Sequence, residues 1–158
     1  VVANGVSGRM ADKLDLHHRQ ILQPEGDPMD GNGFGIIGEL QQPVESMAFL
    51  QQVKEIFRCD RLRYTTPHTS SIQRVAVCGG AGASFFKQAL AGQADIYISG
   101  DFKYHDFFLT ENRIMIADIG HYESEQFTKE IFYEILTKKI SKFAVQFSEI
   151  NTNPIKYL

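Results

Sequence analysis

The feature that most constrains the fold of this chain is an alternation of short apolar runs with helix-like segments, which begins near residue 61. Five runs predict strands, at 62–65, 72–78, 95–99, 113–119 and 142–149. Three intervening segments predict helices, at 83–91, 104–111 and 123–139. Upstream, a predicted strand at 34–40 lies between predicted helices at 6–16 and 43–57, the second opened by Pro43. Strands that alternate with helices of this length indicate an α/β fold, a central mixed or largely parallel sheet flanked by helices.

The size and charge of the chain restrict its class. Its 158 residues suit a single domain, 1–158, with a hydrophobic core. A formal net charge of −3 gives no chain-wide attraction to nucleic acid or to an anionic membrane. No signal peptide is visible, and no apolar run approaches the roughly 20 residues that span a bilayer. Two cysteines are too few for a disulfide framework, so we expect a cytoplasmic protein with reduced thiols.

Two features bear on whether the sequence is a whole protein. It begins with Val1 rather than Met, and residues 1–5 read as the middle of a chain, so we expect it to be part of a longer protein. The turn-rich stretch 23–33 holds three glycines and two prolines. This stretch is the only candidate for a linker or for the place where a further domain enters or has been removed.

Three turns that follow predicted strands are candidates for a functional site, because open α/β folds place their sites there. The first turn contains Gly79-Gly80-Ala81-Gly82. Glycines allow backbone amides to approach an anion at a helix N-terminus. The turn lacks the Lys-Ser/Thr of a P-loop and the full GxGxxG spacing. It therefore fits either a tight strand-to-helix turn or a phosphate-binding loop.

The second turn, at 99–106, carries four ionisable side chains within six residues, from Asp101 to Asp106. In a structural interpretation, Asp101 caps the following helix and His105 is a surface histidine. In a functional interpretation, Lys103 or His105 binds an anion or transfers a proton beside a metal. Both interpretations stay open on the sequence alone.

The third turn, at 118–125, contains a possible pair of metal ligands. His121 and Glu125 are four residues apart, so a helix would place their Cβ atoms about 5–6 Å from each other. Imidazole and carboxylate together suit zinc, iron or manganese. Glu125 also lies in line with Phe132 and Leu136, at the margin of a predicted apolar stripe, where an unpaired carboxylate is costly. Alternatively, Glu123 and Glu125 are first-turn acids that the helix dipole favours.

Five stretches match one known family in order: GIIGEL at 35–40, RVAVCGGAG at 74–82, GDFKYHD at 100–106, GHYESE at 120–125 and SEINTNP at 148–154. On these motifs, which cover nearly the whole chain, the sequence resembles the GTP cyclohydrolase 1 type 2 homologues, also described as Nif-three-like proteins. Many bacterial relatives carry an inserted domain near 23–33, where this sequence has only a short loop.

The resemblance implies a site for two divalent ions per complete chain, with zinc, iron or manganese as the candidates. His121 and Glu125 match two of its ligands. The others would come from an upstream His-His pair and a His-Thr-x-x-Asp motif, so this chain would be the C-terminal part of a longer family member. His17-His18 lie after the position of that pair, and His68-Thr69 lacks the Asp of the motif; these histidines are expected to be ordinary surface or connector residues.

The resemblance also implies two competing functions. The first is a dinuclear-metal hydrolase acting on a small, nucleotide-like molecule, in which Lys103 stabilises charge and His105 carries a proton; alone, this chain would be inactive. The second is a non-catalytic metal-binding scaffold, since the family assembles into ring-shaped hexamers. A third hypothesis, from the first turn alone, is a nucleotide-binding module at 79–82. No residue in the sequence selects GTP as substrate.

Overall fold

The molecule is built around a mixed sheet. The computed structural model describes residues 2–140, 142 and 144–158. Six strands lie within these residues: His17–Pro24 (β1), Gly33–Glu45 (β2), Arg63–Tyr64 (β3), Ser71–Ala81 (β4), Ile96–Gly100 (β5) and Met115–Asp118 (β6). They form one sheet in the order β1-β2-β4-β5-β6-β3. β4, β5 and β6 are parallel, and the other neighbours are antiparallel. The predicted α/β class is confirmed.

The helices lie between and after these strands. In the same described part of the chain, the α-helices are Val6–Lys13 (α1), Ser46–Ile56 (α2), Phe86–Ala91 (α3), His121–Glu125 (α4) and Thr128–Lys139 (α5). Short 3-10 helices occupy Val2–Asn4, Pro28–Asp30, Ala83–Phe85 and Tyr104–Thr110. None of the helices described is long and apolar enough to cross a membrane.

The central strands are buried on both faces of the sheet. Successive side chains of a strand point to opposite faces. In β4, Val75 and Val77 join a core cluster with residues of α1 and α2. Ala76 and Cys78 join a second cluster with residues of α3. Because both faces are covered, these strands are continuous apolar runs, which is why their sequences are recognisable.

The edge strand β1 is absent from the sequence prediction. The predicted helix 6–16 ends at Lys13, and residues 17–24 then pair antiparallel with β2. Only Leu22 of this strand is buried, so the sequence has no alternation of apolar and polar residues that would indicate a strand. The turn-rich stretch forms the hairpin connection between β1 and β2.

The predicted helix start at Pro43 is wrong, because β2 continues to Glu45. The pairing of β2 with β4 is irregular at this point, and proline is tolerated in strands at such irregularities. Helix α2 begins at Ser46. The Glu45 carboxylate caps it by accepting hydrogen bonds from two first-turn amides, at 3.0 and 2.7 Å.

The predicted long helix 123–139 is two helices, α4 and α5. Between them, Phe127 is buried and its ring packs edge-on against Phe57, with centroids 6.0 Å apart. This anchor redirects the chain. The expected apolar stripe of the second helix is not buried, since Phe132 is 61% exposed and Leu136 is 40% exposed.

The last predicted strand, 142–149, is also wrong for the residues that the structure describes. Residues 142 and 144–149 lie in no strand, and Phe143 is outside the described residues. The ring of Phe147 instead stacks on Tyr133 of α5, with centroids 4.6 Å apart. Residues 144–158 therefore run beside the helices without joining the sheet.

Candidate metal centre

The carboxyl ends of β4, β5 and β6 bring the three candidate turns together. Because these strands are parallel, the turns that follow them share one edge of the sheet. A Cβ added to Gly100 would lie 2.8 Å from the carbonyl carbon of Gly120 and from the amide of His121. A Cβ added to Gly80 would lie 2.7 Å from Oε1 of Glu125. The second turn therefore contacts the third turn. The first turn contacts α4, the helix that carries His121 and Glu125.

The predicted ligand pair is assembled on one face of α4. Nε2 of His121 lies 3.3 Å from Oε2 of Glu125, and the two side chains are 48% and 43% exposed. Donors about 2.0–2.2 Å from a tetrahedral ion are separated from each other by about 3.3–3.6 Å. Gly80 leaves this space open, because a Cβ there would also come within 3.4 Å of the imidazole. The pair thus has the chemistry and spacing of two ligands to one ion.

Asp101 lies behind the imidazole. Its Oδ2 is 2.7 Å from Nδ1 of His121. When Nδ1 donates this hydrogen bond, the neutral ring presents the lone pair of Nε2 toward Glu125. A carboxylate behind a histidine in this way is the usual support of a metal-binding imidazole. This contact is not predicted from the sequence, although the parallel pairing of β5 and β6 places Gly100-Asp101 beside Gly120-His121.

The same contacts determine the charge of the imidazole. The hydrogen bond that the ring donates to Asp101 raises the pKa of His121 above its ordinary value, partial burial opposes the rise, and the negative charge of Glu125 adds to it. These contacts therefore stabilise the protonated ring relative to a free imidazole. Because a proton and a cation compete for Nε2, binding of a cation here is expected to release a proton.

Lys103 and His105 are exposed near the start of the 3-10 helix Tyr104–Thr110. The amide of Lys103 donates to Oδ2 of Asp106 at 2.7 Å, so Asp106, and not Asp101, caps this helix. The ring of His105 packs edge-on against Tyr104. Among the described contacts, none joins Lys103 or His105 to the ligand pair, and their catalytic roles stay a prediction.

The glycine turn is fastened by serine hydroxyls. Three of its amides donate hydrogen bonds: Gly79 to Ser7 at 3.3 Å, Gly80 to Ser124 at 2.8 Å and Gly82 to Ser99 at 3.0 Å. Amides that are already bonded, beside the carboxylate of Glu125, are poorly suited to a phosphate. The structure therefore favours the tight-turn interpretation over the phosphate-binding loop. The serines come from distant segments, so no local pattern revealed them.

A cleft of about 600 Å³ borders the ligand pair. One side is formed by α4 and the start of α5, and the other by residues 148–155, which include the SEINTNP motif. The amide nitrogen Nδ2 of Asn153 donates to Oε1 of the buried Glu123 at 3.1 Å. Among the described lining residues, Lys129 is the only cationic amine and Glu125 the only carboxylate. The cleft is large enough for a small molecule beside the pair.

The remaining histidines are not part of this site. His17 and His18 are exposed on β1, as expected, where they lie near Asp15 and Glu39. Within residues 2–140, 142 and 144–158, no group of three or more His, Cys, Asp or Glu side chains is arranged to hold a metal ion. The described residues thus supply two possible ligands, His121 and Glu125, and the carboxylate of Asp101 that supports the imidazole.

By its fold and site, the molecule is an α/β protein with an imidazole–carboxylate pair at the carboxyl edge of a parallel strand group. The family model described as Duf34/NIF3 (NGG1p interacting factor 3) matches residues 1–154. The chain belongs to this family.

Related proteins extend the comparison. The GTP cyclohydrolase 1 type 2 homolog of Streptococcus pneumoniae serotype 4 is 33% identical over 166 aligned positions, which cover all of this chain and 61% of the relative. The protein of the same name from Staphylococcus epidermidis is 39% identical over 130 positions, covering 79% of this chain and 35% of the relative. The chain therefore spans less than two thirds of the length of these curated relatives.

Solved structures share the fold. The Staphylococcus aureus hypothetical protein SA1388 superposes with a TM-score of 0.82 at 23% identity, over 98% of this chain and 64% of that one. A Bacillus cereus protein related to NIF3 gives 0.81 at 17% identity, over 98% and 70%. The mixed sheet and its helices are thus a known arrangement.

Proposed function

We propose that this chain contributes His121 and Glu125 to the divalent-metal centre of a hydrolase that acts on a small, nucleotide-like molecule. The observation that carries the proposal is the 3.3 Å approach of Nε2 of His121 to Oε2 of Glu125. The hydrogen bond that Nδ1 of His121 donates to Asp101 supports it.

The donor set suits zinc, iron or manganese. Two donors seldom retain an ion, so the proposal includes further ligands from a segment outside residues 1–158. The family resemblance implies a two-ion site, so the proposal takes the form of a dinuclear centre.

The chemistry follows from the side chains around the pair. A bound divalent ion would supply a water that is deprotonated near neutral pH and would polarise a substrate oxygen. Lys103 is proposed to stabilise negative charge that develops on the substrate, and His105 to carry a proton to or from it. The 600 Å³ cleft would hold the rest of the substrate. The relatives' name mentions GTP, but no described contact in the cleft selects guanine.

The proposal is tested by metal content and hydrolysis in the purified longer protein, which includes the further ligands; residues 1–158 alone should retain little or no metal. We expect bound zinc, iron or manganese by elemental analysis and metal-dependent product release from a panel of nucleotides and phosphoesters. His121→Ala and Glu125→Gln should each lower metal content and abolish turnover. His105→Ala should lower turnover while metal content stays unchanged.

His17→Ala is the matched control, since this histidine is exposed on β1 and lies away from the pair. It should leave metal content and turnover at the wild-type level. Equal metal content in the wild type and in His121→Ala would refute ligation by His121. Unchanged turnover in His105→Ala would remove that residue from the mechanism.

A second candidate function is a non-catalytic scaffold within a ring-shaped hexamer. The exposed apolar side chains of α5 favour it, with Phe132 and Leu136 joined by the 43%-exposed Ile135, because such a surface commonly marks an interface. Light scattering should then give six times the mass of one chain, and Ile135→Lys should dissociate the particle. A monomeric wild type would contradict the hexamer.

A further inference from the structure

The carboxylate of Asp118 lies between the two turns that carry Asp101 and His121. Its Oδ1 accepts a hydrogen bond from the amide of Gly120 at 3.0 Å. Its Oδ2 accepts one from the amide of Phe102 at 3.1 Å. Gly120 immediately precedes His121, and Phe102 immediately follows Asp101. A single carboxylate therefore contacts the chain neighbour of each partner in the Asp101–His121 hydrogen bond.

One of the two turns has a backbone conformation that costs free energy. The φ angle is +59° at Asp101 and +90° at Gly120, and the left-handed region is unfavourable for a residue with a side chain such as Asp101. The turns are also in close contact, because a Cβ on Gly100 would lie 2.8 Å from the carbonyl carbon of Gly120. Contacts that hold the two turns together therefore determine the relative position of the Asp101 and His121 side chains.

Asp118 is itself held by Arg63. Asp118 is only 5% exposed, and a buried carboxylate is costly unless it is paired. Nη2 of Arg63 donates to Oδ2 of Asp118 and, at 2.8 Å, to the carbonyl oxygen of Phe102. The carboxylate thus has a cation and two amides as donors. Three of these contacts hold backbone atoms of the two turns, namely the amides of Gly120 and Phe102 and the carbonyl oxygen of Phe102.

We propose that Asp118 is a positioning residue for the metal-ligand pair. By holding the two turns together, it keeps Asp101 against Nδ1 of His121. Nε2 of the same ring is thereby directed toward Glu125. The inference rests on the proposed metal-binding function, but the geometry that it explains is present in the metal-free chain and can be tested there.

The test is the tautomer of His121 in the metal-free chain, read by ¹⁵N NMR of the imidazole at a pH above the end of the ring's own titration, where the ring is neutral. The wild type should show one tautomer, with the proton on Nδ1. Asp118→Asn loses the charge and one acceptor oxygen, and it should show a mixture of both tautomers. In the longer protein that includes the further ligands, the same substitution should lower zinc affinity about tenfold, a typical loss when the support behind a ligating histidine is disturbed.

Asp95→Asn is the matched control. Oδ2 of Asp95 accepts two backbone amides, from Gln73 at 2.8 Å and Arg74 at 2.7 Å, at the amino end of β5 and so away from the pair. This variant should lose stability and keep the wild-type tautomer. A purely structural Asp118 would behave in the same way, so the tautomer separates the two roles.

Should Asp118→Asn fail to fold, Asp118→Glu replaces it. The glutamate keeps the charge for Arg63, but its longer side chain cannot accept from both amides at their present positions, so mixed tautomers are again expected. A single Nδ1–H tautomer in the folded variant, or its absence from the wild type, would overturn the proposal. A longer wild-type protein that includes the further ligands and shows that tautomer, but has no affinity for zinc, would defeat the proposed function and leave the positioning role standing.

Discussion

The strand-end turns (79–82, 99–102 and 118–121) and the C-terminal segment (128–158) border the same site, but they are held in different ways. The turns are tied by serine hydroxyls and by the carboxylate of Asp118, which is almost fully buried. In the C-terminal segment, α5 has no buried residue among those described, and residues 144–158 form no helix or strand. Regions with few buried contacts open more readily.

The contacts that attach the C-terminal segment are mostly polar and near the surface. Arg9 and Lys13 of α1 form ion pairs with Glu134 and Glu130 of α5, at 2.7 and 3.0 Å. Exposed pairs of this kind contribute little, about 0–1 kcal/mol each. The comparison therefore indicates a site with one preformed wall, the strand-end turns that support His121, and one adjustable wall, the C-terminal segment that lines the cleft.

The largest expected effect comes from truncating the same residue type in both regions. Ile98 of β5 is 0% exposed and Ile135 of α5 is 43% exposed. Ile98→Ala should lower the free energy of unfolding by about 3 kcal/mol, through lost burial and the cavity left behind. Ile135→Ala should change it by about 0.5 kcal/mol or less. Urea unfolding followed by circular dichroism measures both, and similar losses in the two variants would remove the distinction between the regions.

A smaller expected effect tests whether the preformed wall positions the ligand pair, His121 and Glu125. Gly80 has φ +68°, and a Cβ there would lie 2.7 Å from Oε1 of Glu125. Gly80→Ala should cost about 1–2 kcal/mol for its left-handed backbone. The flexible carboxylate can move away, so most of the steric conflict should appear as a loss of zinc affinity, of about tenfold.

Gly26→Ala isolates the backbone contribution to that change. Gly26 has φ +74° in the hairpin loop, and its added Cβ would meet no atom within 4 Å. The control should lose similar stability and keep the wild-type zinc affinity. Equal zinc affinity in the Gly80 and Gly26 variants would show that the first turn does not shape the site.

The two regions also differ in how well the sequence predicts them. The buried strands β4, β5 and β6 were predicted because an apolar run covered on both faces has few alternatives. The helix break at Phe127 was missed because helical periodicity continues through it, and only the tertiary contact with Phe57 explains the break. The predicted strand at 142–149 was an apolar run that packs beside α5 instead of joining the sheet.

In the candidate site too, features set by local spacing are predicted from the sequence, and features set by tertiary contacts are not. The spacing of His121 and Glu125 is local, so the sequence could place them on one face of a helix. Asp101 was assigned to a cap, and Asp118 received no role, because their contacts depend on the order of the parallel strands. Strand order is set by the whole sheet, and no pattern within one turn contains it.

The smallest effect separates charge from packing within the strand-end turns. The pKa of His121 is raised mainly by its hydrogen bond with Asp101. A raised folded-state pKa contributes stability that is fully present below the unfolded value of about 6.5 and is lost as the pH rises through the folded value. Asp101→Asn should lower the pKa toward its ordinary value and reduce this pH-dependent part. Because both side chains are about half exposed, the change in stability should be small.

Proton NMR of the His121 ring across the titration measures the pKa. Urea unfolding midpoints measure the stability at about pH 5.5 and about pH 8.5, on either side of the ordinary imidazole pKa. Asp106→Asn is the control, because that carboxylate bonds to the amide of Lys103 and has no described contact with the imidazole. The Asp101 variant should lose more stability at the lower pH than at the higher one. An unchanged His121 titration in Asp101→Asn would mean that the 2.7 Å contact between Asp101 and His121 does not persist in solution. The preformed wall would then include the buried Asp118 but not the side chain of Asp101.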